Sequence, residues 1–152
     1  MYLTSSAFRH GAEIPRAYTC QGHNDAPPLS FGDIPPNAKS LALILDDPDA
    51  PDPAAPQRTW VHWVIFNLPP NTREIVGNGA PLPEGAASGK NDWDRSGYGG
   101  PCPPIGRHRY FFHLYALDEV LDLELPTRRQ LDAAMAGHIV GQAELMGTYK
   151  KH

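Results

Sequence analysis

No stretch of this 152-residue chain is apolar for anything near the ~20 residues that a membrane-spanning helix needs. A basic stripe is missing too: 13 Lys and Arg stand against 17 Asp and Glu, for a formal net charge of -4. That balance gives no electrostatic footprint for nucleic acid, so none is expected as a partner. Met1-Tyr2-Leu3-Thr4-Ser5-Ser6 has neither a basic segment nor a long apolar one. No secretory leader is visible in it, and a cytoplasmic location is expected. Cysteine is scarce. Cys20 and Cys102 lie far apart with no Cys-x-x-Cys spacing, which argues against a zinc site. Without a leader, reduced thiols are the default expectation; a Cys20–Cys102 bridge is the alternative for an oxidising compartment. No internal repeat is evident.

Proline and glycine, by contrast, are abundant, at 17 and 14 residues. They are interleaved with strong apolar runs, which favours a loop-rich all-β chain over disorder. The length suits a single domain, residues 1–152, with a real core. The stretch Leu41-Ala42-Leu43-Ile44-Leu45 reads as a buried strand that stops at Asp46-Asp47-Pro48-Asp49-Ala50-Pro51. Pro48 and Pro51 fix their own φ angles and restrict the residues before them, so these acids are held in place. A rigid acidic cluster at the end of a core strand needs positive or hydrogen-bonding partners.

Two later strands carry candidates. In Trp60 to Leu68, strict alternation puts Trp60, His62, Val64 and Phe66 on one face and Val61, Trp63 and Ile65 on the other. Both faces are apolar, so the strand is central and His62 is buried or lines a pocket. In Arg107 to Leu117, His108, Tyr110, Phe112, Leu114 and Ala116 share a face, and Arg109 lies opposite, suited to pairing with Asp49. Shorter strands are expected at Tyr2-Leu3, near Phe8, at Leu29-Ser30-Phe31 and over Leu121 to Leu125. Thr127 is a plausible N-cap. Helical spacing of Leu131, Met135, Ile139 and Gln142 predicts two short helices, bent at Gly137 and stopped by Gly147, after which Thr148-Tyr149 can return to the sheet. The expected architecture is mainly β, a sandwich or barrel with Greek-key connections and short C-terminal helices on one edge.

The chemistry concentrates in Asp46, Asp47 and Asp49, in His62, and in the loop Ser96-Gly97-Tyr98-Gly99-Gly100-Pro101-Cys102-Pro103-Pro104 that leads to His108 and Tyr110. Glycines let a backbone approach a ligand, prolines fix its shape, and free loop N–H groups can receive an anion. An Asp beside a His holds its tautomer and favours the imidazolium. Two histidines, a tyrosine hydroxyl and loop amides suit an anion of phosphate size. Asp47-Pro48-Asp49-Ala50-Pro51, Trp60-x-His62, Gly100-Pro101-x-Pro103 and His108-Arg109-Tyr110, preceded by Asn24-x-x-Pro27-Pro28-Leu29, resemble the phosphatidylethanolamine-binding protein family, which includes the Raf kinase inhibitor proteins and plant flowering regulators. The resemblance runs from Phe8 to Tyr149. Gly97-Tyr98-Gly99-Gly100-Pro101-Cys102-Pro103-Pro104 and Gly147-Thr148-Tyr149 are most similar to its bacterial and archaeal branch.

The resemblance implies a β-sandwich of two antiparallel sheets with a small anion pocket at one end. Carried over by motif, the pocket residues are Asp47, Ala50, Pro51, His62, Gly100, Pro101, His108 and Tyr110, with Asp49, Trp60 and Arg109 in support. It implies a binding and regulatory protein for a small phosphorylated or carboxylated anion, with no cofactor, a cis Ala50–Pro51 bond and a tendency to homodimers. Animal members carry a C-terminal helix over the pocket. The chain stops at His152, so pocket access and partner choice are expected to differ.

Bland readings stand beside these. Asp47 and Asp49 could cap turns, His62, His108 and Tyr110 could be satisfied core groups, and Trp60 and Trp63 could be packing. Cys102 reads as a small buried hydrophobe. His10, His23, His113, His138 and His152 read as structural or solvated, and Asn91-Asp92-Trp93 only as loop. A protein partner, a kinase or protease held through a phosphorylated residue, is the second functional reading. A metal-dependent phosphohydrolase using Asp47, Asp49, His62 and His108 is the third. It lacks any ligand-spacing signature, so no metal is expected.

Overall fold

Three long strands build the molecule, and their apolar alternation decides which side chains meet. The computed structural model describes all residues, 1–152. In chain order the elements are β1 (Tyr2–Thr4), a 3₁₀ turn (Arg16–Tyr18), β2 (Leu29–Gly32), β3 (Ser40–Ala50), β4 (Arg58–Leu68), β5 (Glu74–Ile75), β6 (Ala87–Ser88), β7 (His108–Leu117), α1 (Arg128–Met135) and β8 (Ile139–Tyr149). Two antiparallel sheets form, as expected: a small one in the order β1-β2-β5 and a large one in the order β6-β4-β3-β7-β8.

β3 is central because five apolar residues, Leu41 to Leu45, are fully buried and feed both faces of the large sheet. Leu41, Leu43 and Leu45 join Trp63, Ile65, Tyr110, Phe112 and Leu114 between the sheets, packed on Leu3, Leu29, Phe31 and Ile75 of the small sheet. Ala42 and Ile44 point the other way, with Val61, Val64 and Phe66, onto Leu131 and Met135 of α1. The short helix is nucleated by a capping box in which the Thr127 side chain accepts from the Gln130 N–H and the Gln130 side chain accepts from the Thr127 N–H.

Four local expectations fail, each for a physical reason. β3 does not stop at Leu45. It runs through Asp46, Asp47 and Asp49 to Ala50, because a register irregularity between Asp47 and Ala50 absorbs Pro48 without ending the ladder to β4. The predicted second C-terminal helix is an eleven-residue strand, β8. Gly137, at φ +83°, ends the helical segment, and Ile139 to Tyr149 then pairs along the whole of β7. Gly147, expected to stop a helix, lies inside that strand, where a Cβ would collide with Ile14 and Phe8. No strand forms near Phe8 or over Leu121 to Leu125; Phe8 and Leu121 are buried from irregular segments instead.

Candidate functional site

β4 is not strictly alternating. Leu45 pairs with Trp63 while Asp46 pairs with Val61, so His62 is the extra residue of a β-bulge. The bulge puts His62 and Trp63 on the same side of the sheet. Val64 and Phe66, which alternation placed with His62, face α1 instead. The consequence is functional: His62 is re-aimed toward the end of the sandwich, where β3 and β7 bring the other candidates.

There a cavity of about 340 Å³ opens, lined by Asp47, Ala50, Pro51, Trp60, His62, Trp93, Cys102, Pro103, Pro104, His108 and Tyr110. The Ala50–Pro51 peptide is cis, as the resemblance implied. Asp47, His62, His108 and Tyr110 are all buried. Asp47 has no free oxygen: Oδ1 accepts from the Asp49 N–H (2.8 Å) and Oδ2 from His108 Nδ1 (2.6 Å). His108 Nε2 donates to the Ile105 carbonyl (2.8 Å). Both ring nitrogens of His108 therefore face acceptors.

His62 is in a different state. Burial pushes its imidazole below the ordinary histidine value, and the Gly99 carbonyl, 2.6 Å from Nδ1, only partly offsets that. With Nδ1 donating to Gly99, Nε2 is left without a protein partner and reaches the cavity. Burial first, and the Asp47 carboxylate second, push the Tyr110 phenol up, so its hydroxyl keeps its proton. Asp47 is close enough to that buried hydroxyl to influence it, but no hydrogen bond of good geometry joins them, and the indole N–H of Trp60 is likewise without a partner. These two are the only buried side-chain polar atoms in the chain without a partner, and both residues line this cavity. A buried donor left unpaired costs roughly 1–3 kcal/mol, so these two residues give the cavity lining an unmet demand for acceptors.

Several assignments shift. Gly100 and Pro101 do not line the cavity. The Gly100 N–H donates to Asn24 Oδ1 (2.8 Å) and the Pro101 carbonyl accepts from the Cys20 N–H (3.1 Å), so both brace the wall from behind. Neither offers a free loop amide. Asp49 forms the expected structural pair, a fork in which Arg109 Nε and a terminal guanidinium nitrogen reach its two oxygens at 3.0 and 2.9 Å. The Arg109 hydrogen bonds hold its carboxyl below the usual range despite burial. Cys20 and Cys102 are not reduced thiols but a disulfide, with Cα atoms 5.4 Å apart.

Trp93 is the residue that sequence reasoning missed. It stands edge-on to both Trp60 (5.5 Å) and His62 (5.0 Å) and packs where any side chain on Gly99 would have to sit. Its neighbours explain how a loop holds it. Asn91 Oδ1 accepts from the Trp93 N–H and Asn91 Nδ2 donates to the Gly97 carbonyl, while Asp92 accepts from the Val61 N–H (2.7 Å). Two buried-capable polar residues directly before an aromatic one were the available sign.

No three His, Cys, Asp or Glu side chains converge on a point that could hold a metal ion. The dissimilar states of His62 and His108, and the committed oxygens of Asp47, explain why.

Comparisons with known proteins bear on the family and the fold. The family model for phosphatidylethanolamine-binding proteins matches residues 4–150. The chain is 50% identical to a UPF0098 protein of Methanothermobacter thermautotrophicus, covering 99% of each. Among solved structures it is similar to a phosphatidylethanolamine-binding protein homolog from Chlamydia trachomatis, with a TM-score of 0.92, 48% identity, and 99% and 97% of the two chains covered. It is also similar to YbcL of E. coli, described as a member of the mammalian family, with a TM-score of 0.88, 27% identity, and 99% and 98% covered.

Proposed function

The chain belongs to the phosphatidylethanolamine-binding protein family, and from that premise we propose that its cavity captures a small anion, a phosphate or a phosphate monoester. The observation that carries the reading is the pair of orphaned donors, the Tyr110 hydroxyl and the Trp60 indole N–H, in one enclosed space beside His62 and a doubly hydrogen-bonded His108. Donors without acceptors, in a cavity whose one carboxylate is already spent on His108 and the Asp49 N–H, call for an acceptor-rich ligand. Ala50, Pro51, Pro103, Pro104 and Trp93 supply apolar walls that strengthen those contacts by excluding water.

The role is binding rather than catalysis. The lining set contains no Ser, Thr or Lys, Cys102 is oxidised, and both Asp47 oxygens are engaged, so no lining side chain is poised as a nucleophile. The phosphohydrolase alternative needs a metal-ligand set that the donors do not form. A phosphorylated kinase or protease would present the same phosphate to the same donors, so phosphopeptides belong in a second round of titration. The chain forms a homodimer, as expected from the bacterial branch, and works in the cytoplasm, where the Cys20–Cys102 bridge meets a reducing thiol pool.

The test is titration with inorganic phosphate, then phosphoethanolamine, of the wild type, His62→Ala and His108→Ala, read by NMR of the histidine ring protons. Saturable shifts in the wild type that both substitutions abolish, with the folded spectrum retained, are the expected result. A wild type whose rings ignore both ligands to millimolar concentration would falsify the anion reading.

A further inference from the structure

The wall of the cavity between Cys102 and Arg107 is held by very little main-chain structure. Its backbone makes one hydrogen bond, from His108 Nε2 to the Ile105 carbonyl. Pro103 and Pro104 have no N–H to donate. At its far end the exposed Arg107 side chain reaches Glu13 and Thr148; at its near end what anchors the segment is the covalent bond from Cys102 to Cys20, across 82 residues of sequence. The Cys20 side of the bond lies at the surface, while Cys102 is half-buried and lines the cavity. A single bond therefore joins a solvent-accessible sulfur to the wall of the ligand space. Three residues further on, the same wall supplies one of the two acceptors of His108.

We propose that the Cys20–Cys102 bridge is a reducible site that takes a dithiol as its reductant, and that its cleavage loosens the pocket wall and detaches Ile105 from His108. The proposal rests on the anion-pocket reading for its functional consequence and on the wall geometry alone for its structural one. A thiolate of the reductant attacks the exposed Cys20 sulfur, the S–S bond breaks, and Cys102 leaves as a thiolate that takes a proton. The second thiol of the reductant then displaces Cys20 from the mixed disulfide. Cys20 and Cys102 end as two thiols, and the reductant ends as a disulfide, two electrons and two protons lighter. On the other side of the wall, the segment around Cys20 keeps its own anchors. Tyr98 donates to the Tyr18 carbonyl (2.6 Å) and the Gly100 N–H to Asn24. With Arg107 held by Glu13 and Thr148, the loosening is confined to residues 102–106.

The experiment compares the full-length oxidised chain with the same chain reduced by dithiothreitol, and with Cys20→Ser, which removes the bridge without altering a cavity-lining residue. Free-thiol counts confirm each state. Ligand-free NMR reads the His108 ring signals and amide exchange over residues 102–106, and titration reads the dissociation constant for inorganic phosphate. Reduction is expected to shift the His108 ring signals, speed exchange in that segment and weaken phosphate binding about tenfold, a loss on the order of one charged hydrogen bond, with reversal on reoxidation. Unchanged His108 signals, or saturable phosphate binding of equal affinity in the two states, overturns the proposal. So does global loss of spectral dispersion on reduction, which would make the bridge a staple of the whole fold. If the oxidised chain ignores phosphate while the His108 signals still respond to reduction, the anion reading falls and the redox coupling stands.

Discussion

Two aspartate–histidine pairs sit one residue apart on β3 and face opposite ways. Asp47 meets His108 at 2.6 Å on the cavity side; Asp46 meets His113 at 3.1 Å on the side covered by α1. By residue type the two are the same device. They differ in what closes them. Asp46 also receives Arg128 from the first turn of α1 at 2.7 Å, and Arg128 reaches on to Asp132, so that cluster neutralises and saturates itself. Asp47 and His108 saturate each other too, but beside them the Tyr110 hydroxyl and Trp60 N–H have nothing to bind. An acid–histidine pair is therefore not by itself a sign of function in this fold. The anion reading rests instead on the unpartnered donors of the cavity that one of the pairs lines.

The sharpest way to break that contrast is to remove Asp46. Asp46→Asn strips Arg128 and His113 of their shared carboxylate. Breaking a fully buried pair costs about 3–5 kcal/mol. Here Arg128 and His113 keep 23% and 21% of their side-chain surface exposed, which discounts the loss to about 2–3 kcal/mol of unfolding free energy. Phosphate affinity should not change. The effect has a pH signature. Burial alone would raise the Asp46 carboxyl, but the hydrogen bonds and charges of His113 and Arg128 outweigh it and hold the group low. A depressed folded value means the contribution is present above the unfolded value of about 3.9 and fades as the pH falls through the folded one. Urea unfolding at pH 7 and pH 3 should therefore show the variant losing stability at the higher pH and much less at the lower. Weakened phosphate binding by Asp46→Asn would show that the two faces are coupled and dissolve the distinction.

Tyr110→Phe sharpens the same contrast from the other side. If the hydroxyl is a structural group, its removal should destabilise the fold. If it waits for a ligand, the substitution should leave the unfolding free energy unchanged or slightly higher, since an unsatisfied buried donor disappears. It should also weaken phosphate by roughly 10–100-fold, the worth of about 1.5–3 kcal/mol for a hydrogen bond to a charged group. Calorimetric titration together with urea unfolding reads both quantities. A destabilised variant with unchanged phosphate affinity places the hydroxyl in the architecture instead.

The sequence made some of this visible and hid the rest for identifiable reasons. Leu41 to Leu45, Trp60 to Leu68 and the His108/Tyr110/Phe112 face were legible because long apolar strands carry their own period. Asp47, His62, His108 and Tyr110 were legible through spacing and family resemblance, and they do surround one cavity. The bulge at His62 was not, because a bulge is a property of the pairing with β3 and leaves no mark on β4 alone. β8 was misread because Leu131, Met135 and Ile139 continue a helical spacing across Gly137, which hid the alternation of Leu145, Gly147 and Tyr149 toward the interior. Trp93 reaches the cavity by a loop closure fixed through Asn91 and Asp92, a tertiary event that local pattern does not encode. The disulfide was left open between two states because spacing alone does not bring Cys20 to Cys102.

The mildest effect concerns the one ionisable group whose state a ligand should change. Burial keeps His62 below the ordinary histidine value in the free protein. An anion against Nε2 favours the imidazolium and moves the value up. Between the bound and free values, binding takes up a proton, so affinity strengthens as pH falls through that window. Sulfate is the right probe, since it carries the same charge throughout the range. Its affinity should rise roughly three- to tenfold from pH 8 to pH 5.5, one unit of separation between the two values being a factor of ten. The groups facing His62 are Tyr110 and His108 from β7, Asp47 from β3, and the Trp93 loop. His62→Gln is the control: it removes the His62 proton and leaves the Asp47–His108 pair in place. A slope that survives His62→Gln would show that His62 is not the group that takes up the proton.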